Sequence, residues 1–376
     1  MSDTGNAPAN SLDSKENALV SEAANDGDFS VTLTQDLWLD RLARRIGFGW
    51  VADRFPGQIP PSYLYAIVMI LSIEVALQGR SYLVSGTAHI LQNPFFILQP
   101  IGLLGAVYGS RALLKRYHQV MEEMNISERA SSPERLIHIV PNWLPWVLFL
   151  GTVSVPYIRM LSLGGPTAVY RDYGLSGFLG FTVANPIWLS IAAQFFAVYL
   201  SIVLLAPWRL SKSGIGIHFL DPEQLGGLRP IGELIKHAYY YMVAGLIIVA
   251  LVVYEPVLSD PTVEVTAATN LFFTLAWVGT IATIAFGVFI LHRFMHQEKR
   301  RELHRLETVR KRHTNNPWDI ATYTVSQDKE DIVKEIQHRM DVVSKTNEYP
   351  ATFSIWSQLL ISIVLPKAVQ LFITNI

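Results

Sequence analysis

The sequence predicts an all-α fold: a polytopic membrane protein with a seven-helix transmembrane bundle, a cytoplasmic N-terminus, an extracellular C-terminus and cytoplasmic helical extensions. Three observations predict it. Seven apolar stretches divide the 376-residue chain, most of them reaching the roughly 20 residues that a helix rising about 1.5 Å per residue needs to cross about 30 Å of hydrocarbon. All but four of the 30 Lys and Arg fall in, or at the edge of, alternate intervals between those stretches, the exceptions being Arg80, Arg159, Arg171 and Lys367. Half of the residues are hydrophobic and only 16% are charged.

Taken in chain order, residues 1–33 are acidic, rich in Ser, Asn and Ala, and lack the apolar core of a signal peptide. They are expected to be a disordered cytoplasmic tail. In residues 34–58, Leu39, Leu42, Ala43, Ile46 and Trp50 recur at helical spacing, with Asp40, Arg41, Arg44 and Arg45 off that face. Such a basic amphipathic segment before a span is expected to lie in the membrane interface, with Trp38 and Trp50 at headgroup depth. The first six spans, within residues 59–291, run over 61–83, 95–114, 141–163, 181–207, 239–254 and 267–291. Residues 292–352 read as a cytoplasmic helical segment. In it the sixth helix continues over 293–313 to Asn315-Asn316-Pro317, and a second helix follows over 328–344. That second helix carries Ile332, Val333, Ile336, Met340 and Val343 on one stripe, with Asp328 as N-cap. The seventh span is 353–376. Basic residues favour the cytoplasmic side of a span, which sets the orientation and places the protein in the cell membrane, with the lipid bilayer as its first partner.

Composition and missing motifs narrow the chemistry. A net charge of −1 gives no reason to invoke nucleic acid. With no cysteine there is no disulfide, thiolate nucleophile, zinc knuckle or iron–sulfur cluster. The chain carries no phosphate-binding loop, HExxH or Gly-x-Ser-x-Gly, and Gly214-Ile215-Gly216 lacks the third glycine of a dinucleotide fingerprint. No enzymatic activity and no cofactor are expected. His292 and His296 have the i, i+4 spacing of a metal pair, with Glu298 near. The plainer reading is a basic helix whose histidines face headgroups.

Ionisable residues within apolar spans point more directly to function, because a charge there costs at least ~3 kcal/mol on insertion scales. Glu74 in the first span, Arg159 in the third and Lys367 in the seventh form the candidate ligand or ion site, Glu74 neutralising Arg159 or Lys367. In the seventh span Ser354, Gln358, Lys367 and Gln370 recur on one side as candidate pore-lining residues. The loop from His218 to Glu233 is dense in turn-forming residues. There His218, Asp221 and Glu223 form a candidate polar site, the alternative being a rigid elbow that starts the fifth span at Pro230.

The order of these elements resembles that of the insect-chemoreceptor-like superfamily of odorant and gustatory receptors. The shared features are the orientation, short outer loops, a cytoplasmic extension after helix six, an amphipathic cytoplasmic helix before helix seven, and termination soon after it. Where that family's seventh helix carries Thr-Tyr, five apolar residues and Gln-Phe, this chain has Thr352-Phe353, then Gln358 and Leu359. The resemblance implies a homotetrameric, ligand-gated cation channel with a small-molecule ligand and a pore lined by helix seven. The alternative is a non-conducting small-solute transporter or a membrane scaffold.

Overall fold

The computed structural model of the chain describes residues 37–54, 59–86, 97–130, 133–254, 266–319, 321–349, 364–365 and 367–372. The expectations for residues 1–33, and for Ser354 and Gln358, lie outside the described residues. The described chain is all-α apart from one two-residue antiparallel ladder, β1 (Thr314–Asn315) with β2 (Thr324–Val325). The segment expected as one amphipathic helix divides at Gly47 (φ 104°) into α1 (Trp38–Ile46) and α2 (Phe48–Ala52). There follow α3 (Pro61–Ser85), α4 (Leu98–Glu123), α5 (Leu144–Ser162), α6 (Pro166–Leu179), α7 (Asn185–Leu200), α8 (Ala206–Lys212), α9 (Arg229–Val253), α10 (Ala267–Arg312) and α11 (Glu330–Lys345). Five-residue π-helical stretches, Gly180–Ala184 and Ser201–Leu205, join α6 to α7 and α7 to α8.

Five described helical stretches are long and apolar enough to cross a membrane: Pro61–Val84, Leu144–Ser162, Pro166–Lys212, Arg229–Val253 and Thr269–Arg312. The expected second span is helical as α4, but Arg111, Lys115 and Arg116 enter midway and shorten its apolar run. Of the expected seventh span, residues 367–372 are helical and most of the remainder lies outside the described residues.

The core sits where α4, α7 and α9 meet. In the most apolar window of the Pro166–Lys212 stretch 67% of residues are buried, against 11% in α5, so α7 is central and α5 peripheral. Tyr117, Tyr199, Leu234 and Tyr239 are fully shielded there. Val75, Leu83, Leu150, Val155, Leu271, Phe272 and Leu275 are exposed on the outer helices.

The longest element is α10, whose 46 residues rise about 69 Å. Thr266 caps its start by accepting from the Thr269 N–H at 3.2 Å. Its second half is strongly charged and runs unbroken to Arg312, as the sequence predicts. The stripe on α11 packs against it, Ile336 and Val343 on Leu306 with Leu303, Val309, Met340 and Phe219 around them. Two details are corrected. Ile332 is exposed, because it lies at the edge of the stripe. Asp328 is not the N-cap, because a 3₁₀ turn over Gln327–Lys329 precedes the helix and its first turn has no side-chain cap.

The tightest approach on α10 is at Gly287, where an added Cβ would lie 2.1 Å from the Val203 carbonyl oxygen. Backbone atoms cannot rotate away. Gly287→Ala should therefore lower the melting temperature in detergent, with a cost of at least ~1–3 kcal/mol for overpacking. Gly245→Ala, whose Cβ meets nothing within 4 Å, should not. Equal melting temperatures for the two variants would contradict this packing.

Candidate functional site

Glu74 lies on α3 and is half-buried. With Leu77, Gln78 and Ser81 it follows the i, i+3, i+4, i+7 spacing of a single helix face. That face lines a half-open cavity of about 420 Å³, shared with Arg80 and Val84 of the same helix, Gln99 of α4, Tyr173 and Ser176 of α6, and Trp188 of α7. Glu74 is hydrogen-bonded by Gln78. Arg80 donates to Ser176 Oγ at 2.7 Å, tying α3 to α6. The indole N–H of Trp188 is buried without an acceptor among the described residues. One carboxylate, one guanidinium, two amides, hydroxyls and an aromatic wall thus share one cavity beside otherwise apolar helices. This constellation suits a small molecule carrying both signs of charge.

Arg80 and the polar stripe were not picked out by the sequence reading, which looked for charges deep in the spans and set Arg80 in a connecting interval. The signal was present in the spacing of Glu74, Gln78 and Ser81 along an apolar helix. Arg159 is exposed on α5, and among the described residues no ion pair joins Glu74 to Arg159 or Lys367.

Lys367 belongs to a separate network. Its ammonium donates to Thr274 Oγ1 at 3.2 Å and to Gln370 Oε1 at 2.6 Å. Gln370 is buried, and its amide donates to Tyr254 Oη at 2.6 Å and Asn270 Oδ1 at 2.9 Å. Tyr254 also donates to Asn270 Oδ1, at 2.8 Å. In the single chain Lys367 and Gln370 therefore turn toward α9 and α10.

The loop residues are organised around Asp221. Its carboxylate accepts from the backbone N–H groups of Glu223 (3.1 Å), Leu225 (3.2 Å) and Gly227 (2.8 Å). The His218 N–H donates to the Gly226 carbonyl at 3.1 Å, and Glu223 pairs with Arg229, which also holds Glu233 at 2.9 Å. Pro230 stands in the first turn of α9. Both carboxylate oxygens of Asp221 are engaged locally, which is the geometry of a rigid elbow. An open cleft of about 740 Å³ flanks the loop, shared with Glu123 and Arg129, but among the described residues no cluster of three His, Asp or Glu has the geometry to hold a metal.

His292 and His296 are both engaged by residues 348–349. His292 stacks on Tyr349 with centroids 4.3 Å apart and contacts the Glu348 carbonyl, and His296 Nδ1 meets Glu348 Oε2 at 2.9 Å. Lys299 donates to the Thr346 carbonyl at 2.8 Å. Residues 346–349 are thereby strapped to α10. No family model, no curated protein and no solved structure matches this chain.

The elbow yields a pH expectation. Burial alone would raise the Asp221 carboxyl, but the Gly227, Glu223 and Leu225 N–H groups, with His218, hold it below its ordinary value. A depressed acid contributes order above its unfolded pKa of about 3.9 and loses it as pH falls through the lower folded value. Amide exchange at Leu225 and Gly227 should stay slow from pH 7 to about 4 after correction for intrinsic rates, and rise below. Asp221→Ala should remove that protection at every pH; unchanged exchange in this variant would show that the carboxylate does not hold the turn.

Proposed function

We propose that this chain is an integral membrane protein of seven spans, N-terminus cytoplasmic and C-terminus outside, that acts as a ligand-responsive receptor or ligand-gated channel-like protein. The observation that carries the reading is the Glu74–Arg80 cavity. A membrane-facing helix that sets a carboxylate, two amides and a guanidinium around one space bears a cost in hydrocarbon that a structural helix would avoid. A zwitterionic small molecule, its cation toward Glu74 and its anion toward Arg80 and the Trp188 N–H, fits that lining.

Membrane embedding is supported by the five long apolar helices and by the apolar side chains exposed along α3, α5 and α10. The seventh span is supported by two contacts on α10. Residues 346–349 meet it at His292–Lys299, and Lys367 and Gln370 meet it at Asn270–Thr274. Thr274 and His292 are separated by about 27 Å of helical rise, close to the thickness of a hydrocarbon core. The unbroken charged extension of α10, with α11 packed on it, supports the likeness to the insect-chemoreceptor-like superfamily and hence a homo-oligomer with helix seven at its pore. A non-conducting small-solute transporter or scaffold is the second reading. It is favoured by the interrupted path through α6 and α7, with Gly174 at φ 66° and the π-helical turns, since transporters place broken helices at their binding sites.

Two measurements test this. A tag after Ile376 should be accessible from outside intact cells and one before Met1 should not; the reverse would overturn the orientation. In detergent, a panel of amino acids and betaines should contain a compound that raises the melting temperature of the wild type, an effect lost in Glu74→Gln and in Arg80→Gln. Liposomes loaded with the wild type should pass ions only with that compound if the protein is a channel, and should accumulate the compound itself if it is a transporter.

A further inference from the structure

A second cavity lies at the other end of α3, where α1 crosses the start of α5. It measures about 120 Å³ and is lined by Trp38, Arg41, Leu42 and Arg45 of α1, and by Asn142 and Trp146. A water needs about 10–15 Å³ of such space, so a tetrahedral oxyanion fits. No carboxylate lines it among the described residues; Asp40, the acid of α1, is turned away onto Arg111.

The lining is rich in donors and short of acceptors. Arg41 Nη2 donates to Asn142 Oδ1 at 2.8 Å, which uses one N–H and aims the guanidinium across the opening. Arg45 has no acceptor among the described residues, and at i, i+4 from Arg41 its like charge destabilises the helix unless an anion lies between them. Trp38 is 3% exposed, stands edge-on to Trp146 with centroids 5.1 Å apart, and its buried indole N–H has no acceptor among the described residues. On α2, exposed Trp50 is covered by Arg54, just past that helix, at 3.5 Å. Guanidinium groups bind phosphate oxygens through paired N–H donors, and basic pockets between helices at a membrane surface take lipid headgroups.

We propose that Arg41, Arg45 and the Trp38–Trp146 wall form a phosphate-binding site. The two sources of that chemistry are the headgroup of an anionic phospholipid and a free phosphate. The position of α1 across the ends of the apolar helices favours the lipid, whose acyl chains would run down the exposed flank of α5 past Val147 and Leu150.

The test uses the full chain in a zwitterionic detergent, its thermal unfolding followed while phosphatidylglycerol, phosphatidylcholine or inorganic phosphate is titrated. Phosphatidylglycerol should raise the melting temperature at lower concentration than phosphatidylcholine. Arg45→Gln, which breaks no hydrogen bond or ion pair among the described residues, should raise the half-saturating concentration of phosphatidylglycerol about fivefold, and Arg41→Gln by at least as much. Arg44→Gln, outside the cavity on the same helix, should leave it unchanged. Protection by inorganic phosphate that depends on the same two arginines would assign the site to a free anion and not to lipid. The proposal is overturned if Arg45→Gln leaves the half-saturating concentration unchanged, or if Arg44→Gln shifts it as much, since the lipid would then be sensing diffuse charge.

Discussion

The arrangement of the bundle at one end depends on a single buried carboxylate. Asp40 is 3% exposed and joins its own helix to two others at once. Arg111 of α4 pairs with it, the Ser62 N–H at the start of α3 donates to it at 3.1 Å, and Arg111 also donates to Ser62 Oγ at 3.1 Å. The preceding residue, Leu39, donates its backbone N–H to Gln194 of α7 at 3.1 Å, satisfying a first-turn donor that has no partner within the helix. Thus α1 is bolted to α3, α4 and α7 by polar contacts as well as by the burial of Trp38, Leu39 and Ala43. Losing one member of a buried pair costs roughly 3–5 kcal/mol; with Arg111 27% exposed, the lower end of that range applies here.

That attachment fixes the rotation of α1 about its axis, and the rotation has consequences on the opposite side. With Asp40 facing Arg111, residues one and five positions later face the start of α5, which is where Arg41 and Arg45 meet Asn142 and Trp146. The exposed edge of the helix is left to Arg44, Ile46 and, after the break at Gly47, Trp50. One interior ion pair therefore sorts the charges of a short basic helix into a structural carboxylate, two cations that share a cavity, and a remainder that faces outward.

What the sequence made legible follows from which forces are local. Helical spacing of apolar residues is local, so the long helices, the continuation of α10 and the stripe of α11 could be read directly. Turn chemistry is local too, and the loop from His218 to Glu233 forms the elbow that its Asp, Pro and Gly residues suggest. The position of Asp40 was not legible, because a helical wheel assigns any carboxylate to the polar face and only Arg111, 71 residues away, makes its burial affordable. The environment of Glu74 was missed for the same reason. The sequence offered Arg159 and Lys367 as counter-charges because they are conspicuous in apolar spans, whereas helix packing set Arg80 and Gln99 around the cavity. Gly287 looks like any glycine until the Val203 carbonyl is seen against it.

The two polar networks of the apolar helices differ in a way that bears on function. Lys367 is met by an amide and a hydroxyl, and that amide by a second amide and a phenol, so its positive charge is solvated by neutral dipoles and no carboxylate pairs with it among the described residues. Glu74 likewise has an amide as its hydrogen-bond partner, with a guanidinium elsewhere in the same cavity that is itself held by a hydroxyl. A direct ion pair would cancel both charges and leave little field. Charges held by neutral groups keep most of theirs, and in a low-dielectric setting an interaction of several kcal/mol remains for whatever opposite charge arrives. A bundle built for stability alone would pair or delete such groups. On the proposed membrane reading, Glu74 and Arg80 share one space and neither forms an ion pair among the described residues, and the Lys367 network beside α10 follows the same pattern.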